Sequence, residues 1–215
     1  MNRRASLGWL LAALALLVPN AGIATPRDID PALLNKLIER MAEPYEASDR
    51  FDAEVWLLVS DQRLRRFEKD AEIRLEILET VYREALHHGL SPDLVLAVIQ
   101  VESAFNRFAL SSVGAQGYMQ IMPFWRLEIG RPQDNLINTQ TNIRYGAAIL
   151  AHYLEVAEGD LVDALGRYNG SRGRLKYPEK VLGAWRKRWR NSSFEEAPGL
   201  ASSCARYPLR ACAYR

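Results

Sequence analysis

Apolar residues recur at helical spacing along most of the chain. PALLNKLIERM (31–41), RFDAEVWLLVSDQRLRRF (50–67) and AEIRLEILETVYREALHH (71–88) each gather their aliphatic side chains on one face, which predicts three amphipathic helices. Gly89 closes the third, and Ser91-Pro92-Asp93 opens a fourth with a capping residue followed by Pro at the first helical position. Loop chemistry fills Asn106 to Gly117. Another helix is expected from near Asn138 through NIRYGAAILAHYLEVAEG, ALGRYNGSRG starts helical and breaks at its glycines, and YPEKVLGAWRKRWR reads as a last amphipathic helix. No alternating stretch is long enough to read as a strand, and neither an internal repeat nor a Pro/Ser-rich linker divides the chain. The pattern predicts a mainly α protein. A helical domain covers 71–190, a helical N-terminal extension covers 25–70, and a short tail follows over 191–215.

The first 24 residues fall outside this fold. A basic start (MNRR), the apolar run LGWLLAALALLV and the small residues Gly22-Ile23-Ala24 read as a secretory signal peptide, too short for a comfortable membrane span. Its removal takes away Arg3 and Arg4 from 28 basic residues, leaving 26 against 26 acidic ones. A chain with that balance is not built to bind a polyanion with its whole surface, so a nucleic-acid partner is not expected. Export, to a periplasm-like compartment and without stable membrane insertion afterwards, also makes the two cysteines legible. Cys204 and Cys212 are expected to form one disulfide that pins the tail.

The stretch LVLAVIQVESAFN, 94–106, carries the first candidate chemistry. At about 100° per residue, Leu94, Val95, Val98, Val101 and Phe105 share one arc, and Glu102 lies inside it, whereas Gln100 and Ser103 lie on the other side. An ionised carboxylate among apolar neighbours is costly, so it raises its pKa or finds a partner. A Glu kept protonated near neutrality is what a general acid requires. From the helix alone, a Glu at the rim of the arc, partly wet or paired with an Arg, is the favoured reading.

Four separated motifs change that balance: VESAFNRFALSSVGAQGYMQIMP, then NIRYGAAIL, GRYNGS and YPEKVL, in that order over about residues 80–190. Together they resemble the soluble lytic transglycosylase family of peptidoglycan-cleaving enzymes, whose catalytic domain is similar to goose-type lysozyme. The resemblance implies a lysozyme-like helical domain in which Glu102 is the single catalytic acid and base. It implies that Ser111, Gln120 and Met122 line the groove around the cleaved bond, that the Tyr168 hydroxyl approaches the catalytic carboxyl, and that Asn169 binds sugar. Tyr177, in the last motif, joins the substrate-binding set. Arg107, Tyr118 and Gly170-Ser171 depart from the family's usual residues and bear on subsite preference. Glycan strands of peptidoglycan are the implied partner. No cofactor or metal is implied, and no protein partner is named.

The acidic residues add a constraint of their own. No Asp or Glu occurs from Ser103 to Leu127, and Glu128, Asp134 and Asp163 lie outside the groove motifs. A glycosidase with two carboxylates, about 5–5.5 Å apart or farther, is therefore unsupported. The family implies that the second group comes from the substrate and that the product closes as a 1,6-anhydromuramoyl ring. A muramidase that admits water, and a non-catalytic scaffold on the same fold, remain as alternatives. Trp56, Trp125, Trp185 and Trp189 are expected to serve the core. The stretch 172–190, with eight basic residues and one acidic, is either a solvated face or a contact for the carboxylates of peptidoglycan peptides.

Overall fold

A computed structural model describes residues 47–191. The expected helix at 31–41, the signal-like start and the Cys204–Cys212 bridge lie outside the described residues. Within them, the helices are α1 (Ala47–Leu64), α2 (Ala71–His87), α3 (Pro92–Ser103), α4 (Trp125–Glu128), α5 (Thr139–Val156), α6 (Leu161–Tyr168) and α7 (Lys176–Ala184), followed by a π-helical turn at Trp185–Trp189. Extended pairing among the described residues is limited to isolated bridges, Leu110 with Gln116 and Gln116 with Ile121. The mainly α class read from the periodicity is the class observed. No helix among the described residues is long and apolar enough to cross a membrane.

Local chemistry sets most of the helix boundaries. Asp70, Asn138 and Asp160 each cap a helix by accepting from backbone N–H groups of its first turn. Pro92 opens α3 as expected, although Ser91 makes no side-chain capping bond. The second predicted helix ends earlier than its periodicity suggests, at Leu64 rather than residue 67. Phe67 leaves the helical path to pack its ring on Phe105 (centroids 5.0 Å apart) and Trp189 (6.1 Å). That aromatic contact outweighs one further helical turn at an exposed end.

α3 forms the centre. It packs on α2, on α7 and on the π turn, and every residue from Pro92 to Ile99 is buried. The single apolar arc expected for this helix is therefore too narrow, because α3 meets protein on nearly all sides. Gln100, expected at the surface, instead accepts a 2.8 Å hydrogen bond from the indole Nε1 of Trp189. The last helix also differs from its expectation as one continuous piece. The π turn, closed by Arg190 N–H on the Trp185 carbonyl at 2.8 Å, widens the helix so that Trp185 and Trp189 both face the core. Trp56, Trp185 and Trp189 are fully buried, as expected of core tryptophans, whereas Trp125 is only half-buried.

α1 belongs to the same core: Trp56, Leu57 and Leu64 pack in one cluster with α3 and α5 residues. Asp93 anchors it. One carboxylate oxygen accepts from Trp56 Nε1 at 2.6 Å, the other from Asn191 N–H at 2.7 Å, so a single side chain ties α1 and the chain's exit to α3. Burial raises its pKa and the two donors oppose that rise. Asp93→Ala strands a buried indole N–H and a buried backbone N–H. It should cost about 2–4 kcal/mol, read as a lower denaturation midpoint at unchanged slope, while Asp93→Asn should cost less because its amide oxygen still accepts.

Candidate active site

Glu102 stands one residue before the end of α3, and the backbone there is forced to turn. Ala104 (φ 49°) and Phe105 (φ 64°) adopt the left-handed region in succession, which non-glycine residues rarely do. Phe105 is held in that conformation by its burial against Phe67 and Trp189, whose ring lies 5.4 Å away. The turn lets the chain leave the core at the carboxylate, so Glu102 is half-buried at the mouth of a cleft and not inside the bundle. The cleft has a volume of about 360 Å³, and Asn169, Ser171 and Tyr177 share its walls with Glu102. Val101, Arg174, Lys176 and Lys180 complete it.

Glu102 is the only carboxylate in that lining. Three acids that follow it in the chain are engaged elsewhere. Asp134 accepts from Tyr145 at 2.6 Å, Asp163 pairs with Arg167 (2.8 Å) and Arg172 (2.7 Å), and Glu128 lines a separate cleft. Burial pushes the Glu102 carboxyl above its ordinary value, and one hydrogen bond, donated by the Tyr177 hydroxyl to Oε1 at 2.6 Å, pulls part of that rise back. Burial, reinforced by the nearby Glu102, pushes the hydroxyls of both Tyr168 and Tyr177 far up, so both remain neutral donors. The resulting unit is a carboxyl raised above its ordinary pKa with a neutral donor on one oxygen.

Tyr168 lies near enough for Glu102 to raise its hydroxyl's pKa, but it gives its hydrogen to the Met119 carbonyl at 2.8 Å; the hydrogen bond to Glu102 comes from Tyr177. Tyr168 ends α6, where its ring packs against the core and its hydroxyl meets the 116–121 loop; Tyr177 sits in α7, which packs along α3 and faces its carboxyl end. Asn169 does line the cleft, with its side-chain oxygen accepting from the Ser171 hydroxyl at 3.0 Å.

Ser111, Gln120 and Met122 do not line this cleft. The Ser111 hydroxyl accepts from Ala115 N–H at 3.0 Å and closes a turn. Gln120, itself left-handed (φ 51°), donates to the Ala109 and Gly117 carbonyls and braces the loop from within. Met122 is half-buried beyond it. The same loop is fastened to the end of α3 by Ser103, whose hydroxyl lies 2.8 Å from the Tyr118 carbonyl.

Asn142 is a further polar residue of the site, absent from the expectations above. It is completely buried in α5, accepts from Met119 N–H at 2.7 Å, and donates to the Gln116 and Leu136 carbonyls, each at 2.8 Å. The signal was available: NIRYGAAIL is otherwise apolar on the face where this amide lies. Gly117 makes room for it. Its φ is +76°, and a Cβ there would collide with Asn142 Nδ2 and come within 2.6 Å of the Leu136 carbonyl. Arg174, Lys176 and Lys180 were legible only as part of a basic stretch. Among the described residues no group of three His, Cys, Asp or Glu side chains is arranged to hold a metal ion.

The chain is similar in sequence to proteins named as transglycosylases. A transglycosylase of Enterobacteria phage PRD1 is 35% identical over 115 residues, covering 50% of this chain and 42% of the phage protein. Membrane-bound lytic murein transglycosylase C of Yersinia pestis (strain Pestoides F) is 30% identical over 114 residues, covering 46% of this chain and 32% of that protein. The chain therefore spans less than half the length of these curated relatives. A solved structure of an inactive mutant of the lytic transglycosylase Slt from Pseudomonas aeruginosa aligns at a TM-score of 0.41 and 22% identity, covering 78% of this chain and 36% of that one. The family model described as "Transglycosylase SLT domain" matches residues 79–188, just over half of the chain and the whole of the Glu102 cleft, and the chain belongs to that family.

Proposed function

We propose that this chain is an exported lytic transglycosylase that cleaves the bond between N-acetylmuramic acid and N-acetylglucosamine in peptidoglycan without adding water. One observation carries the reading: Glu102 is the sole carboxylate of its cleft, raised by burial and held by the Tyr177 hydroxyl. Protonated, Glu102 donates to the glycosidic oxygen as the C1–O bond breaks. The N-acetyl oxygen of the substrate supports the positive charge at C1 in place of the missing second carboxylate. Glu102, now ionised, accepts the proton of the 6-hydroxyl of the same muramoyl sugar, and that oxygen bonds to C1. Glu102 ends the cycle protonated, as it began. Tyr177 stays on Oε1 throughout, which leaves Oε2 as the oxygen that exchanges the proton.

Mass analysis of muropeptides released from purified sacculi tests the reaction. Anhydromuramoyl ends, one water lighter than reducing ends, are the expected products; reducing ends would assign a muramidase, and binding without release a scaffold. The internal 6-hydroxyl is favoured over bulk water because it is already held beside C1. The signal-like first 24 residues support export to the compartment that contains this polymer. The domain scheme read from the sequence, with the catalytic unit at 71–190, is retained in this proposal.

Tyr177→Phe should lower kcat about tenfold, because a charge-assisted hydrogen bond to the ionised form of Glu102 is lost. The sign of the accompanying pH shift is fixed. The hydroxyl lowers the Glu102 pKa, so its removal raises that pKa further. Since catalysis starts from protonated Glu102, the descending limb of kcat/KM against pH should move to higher pH in the variant. A limb that stays in place or moves down would show that Tyr177 does not act through Glu102.

A further inference from the structure

A second cleft of about 450 Å³ adjoins the first along α7, and the two share Val101 and Lys180. Arg174, Lys176 and Lys180 line the first, and Lys187 and Arg188 continue the second. Lys176 to Arg188 covers thirteen residues, twelve steps, of near-continuous helix, about 18 Å along its axis. Glu102 and Glu179 are the only acids in either lining, and no ion pair engages any of the five cations among the described residues. Arg188 is fixed rather than free: its guanidinium lies 5.3 Å from the centre of the Phe67 ring, which the Arg66 guanidinium also approaches, at 5.7 Å. Acidic side chains elsewhere on the surface quench their arginines, as Asp163 does for Arg167 and Arg172. This lane has been left unneutralised, although the whole chain is nearly balanced.

We propose that the lane running from Lys176 to Arg188 binds the carboxylates of peptides attached to the glycan strand, so that the enzyme selects peptide-bearing strands over denuded ones. The proposal rests on the peptidoglycan reading above. A glycan seated at Glu102 projects its peptide substituents away from the sugars, and cations up to about 18 Å from Lys176 reach beyond the sugar being cleaved. Attraction of this kind is spread over several partly exposed charges, so it depends on ionic strength and acts on substrate capture more than on the bond-breaking step. In reaction order, the enzyme then works before the amide hydrolysis that strips peptides from the strand.

The test compares kcat/KM for soluble peptide-bearing strands with kcat/KM for the same strands after amidase treatment, using the full chain. Amidase hydrolysis frees the lactyl carboxylate of each muramoyl sugar, so the denuded strand carries that charge without the peptides and separates the two sources. The wild type should prefer peptide-bearing strands about fivefold to tenfold, as a few screened charge contacts allow. Lys187→Glu together with Arg188→Gln should bring the ratio close to one, chiefly through KM, and high salt should do the same. Lys187→Glu alone, at an exposed position that does not disturb Phe67, should reduce the ratio part of the way. Equal cleavage of both strands by the wild type, or a ratio indifferent to both variants, would overturn the proposal and leave the transglycosylase reading intact. Cleavage of neither strand would defeat the transglycosylase reading and this proposal with it.

Discussion

Glu102→Gln should fold and lose glycan cleavage by about ten-thousandfold, measured as release of soluble muropeptides from sacculi. The magnitude follows from the double use of one group. The amide has nearly the shape of the protonated carboxyl and still accepts from Tyr177, so the cleft is preserved. It neither gives up a proton to the leaving oxygen nor recovers one from the 6-hydroxyl, and no second carboxylate lines the cleft to take over. The same substitution should raise thermal stability. Glu102 has a folded pKa above its usual value of 4.5 because burial penalises its charge. A group raised in this way binds its proton more tightly in the folded state, so stability falls as pH climbs from the unfolded pKa through the folded one. Above that window the wild type carries a buried charge that the Gln variant lacks. The gain in melting temperature should therefore be largest near neutral pH and shrink as pH falls toward the ordinary Glu value. A Gln variant with near wild-type turnover would remove Glu102 from the mechanism.

Asn142→Ala should be the most damaging substitution outside the cleft, lowering stability by about 3–5 kcal/mol. Met119 N–H and the Leu136 carbonyl, both buried, lose the amide at once, and the half-buried Gln116 carbonyl is left with Ile121 N–H alone. No water replaces the amide easily, since Asn142 is fully enclosed. Asn142→Asp should be nearly as harmful: it keeps the acceptor for Met119 but faces two carbonyl oxygens with a charge and no donor. Activity should drop further than the unfolded fraction explains, because the 116–121 loop holds the Met119 carbonyl under Tyr168 and the Tyr118 carbonyl under Ser103, beside Glu102. Denaturant midpoints and initial cleavage rates, measured on the same preparations, separate the two losses. A variant within 1 kcal/mol of wild type would show that the loop is anchored by something other than this amide.

The two substitutions differ in how visible their targets are in the chain itself. Periodicity exposes Glu102, because a carboxylate within an otherwise apolar helical stretch conflicts with its neighbours whatever the fold. Asn142 presents the same conflict within α5, yet its sequence neighbours carry no hint of chemistry, and its partners lie 6 to 26 residues away. The motifs around Gln120 and Ser111 were legible as a turn near the site. Their side chains serve that turn, where a groove-lining role was expected of them.

The sequence by itself determined the helical class, most helix starts, the place of Glu102 at the end of the central helix, and the glycines that permit the following turns. These are local properties: apolar spacing, capping side chains and positive φ act within a few residues. Only the tertiary structure decided which hydroxyl meets the carboxylate. Tyr168 and Tyr177 are nine positions apart, separated by a break at Gly170 and Gly173, both in the left-handed region, so the direction of one fixes nothing about the other. Tyr177 reaches Glu102 across 75 residues because α7 packs along α3, while Tyr168, at the end of α6, finds the Met119 carbonyl first. The same packing buried α3 from Pro92 to Ile99, paired Gln100 with Trp189, and set the basic edge of α7 beside the catalytic cleft. A repeat of 3.6 residues records that a face is apolar, whereas the partner of each polar atom depends on which helix the chain later brings against it.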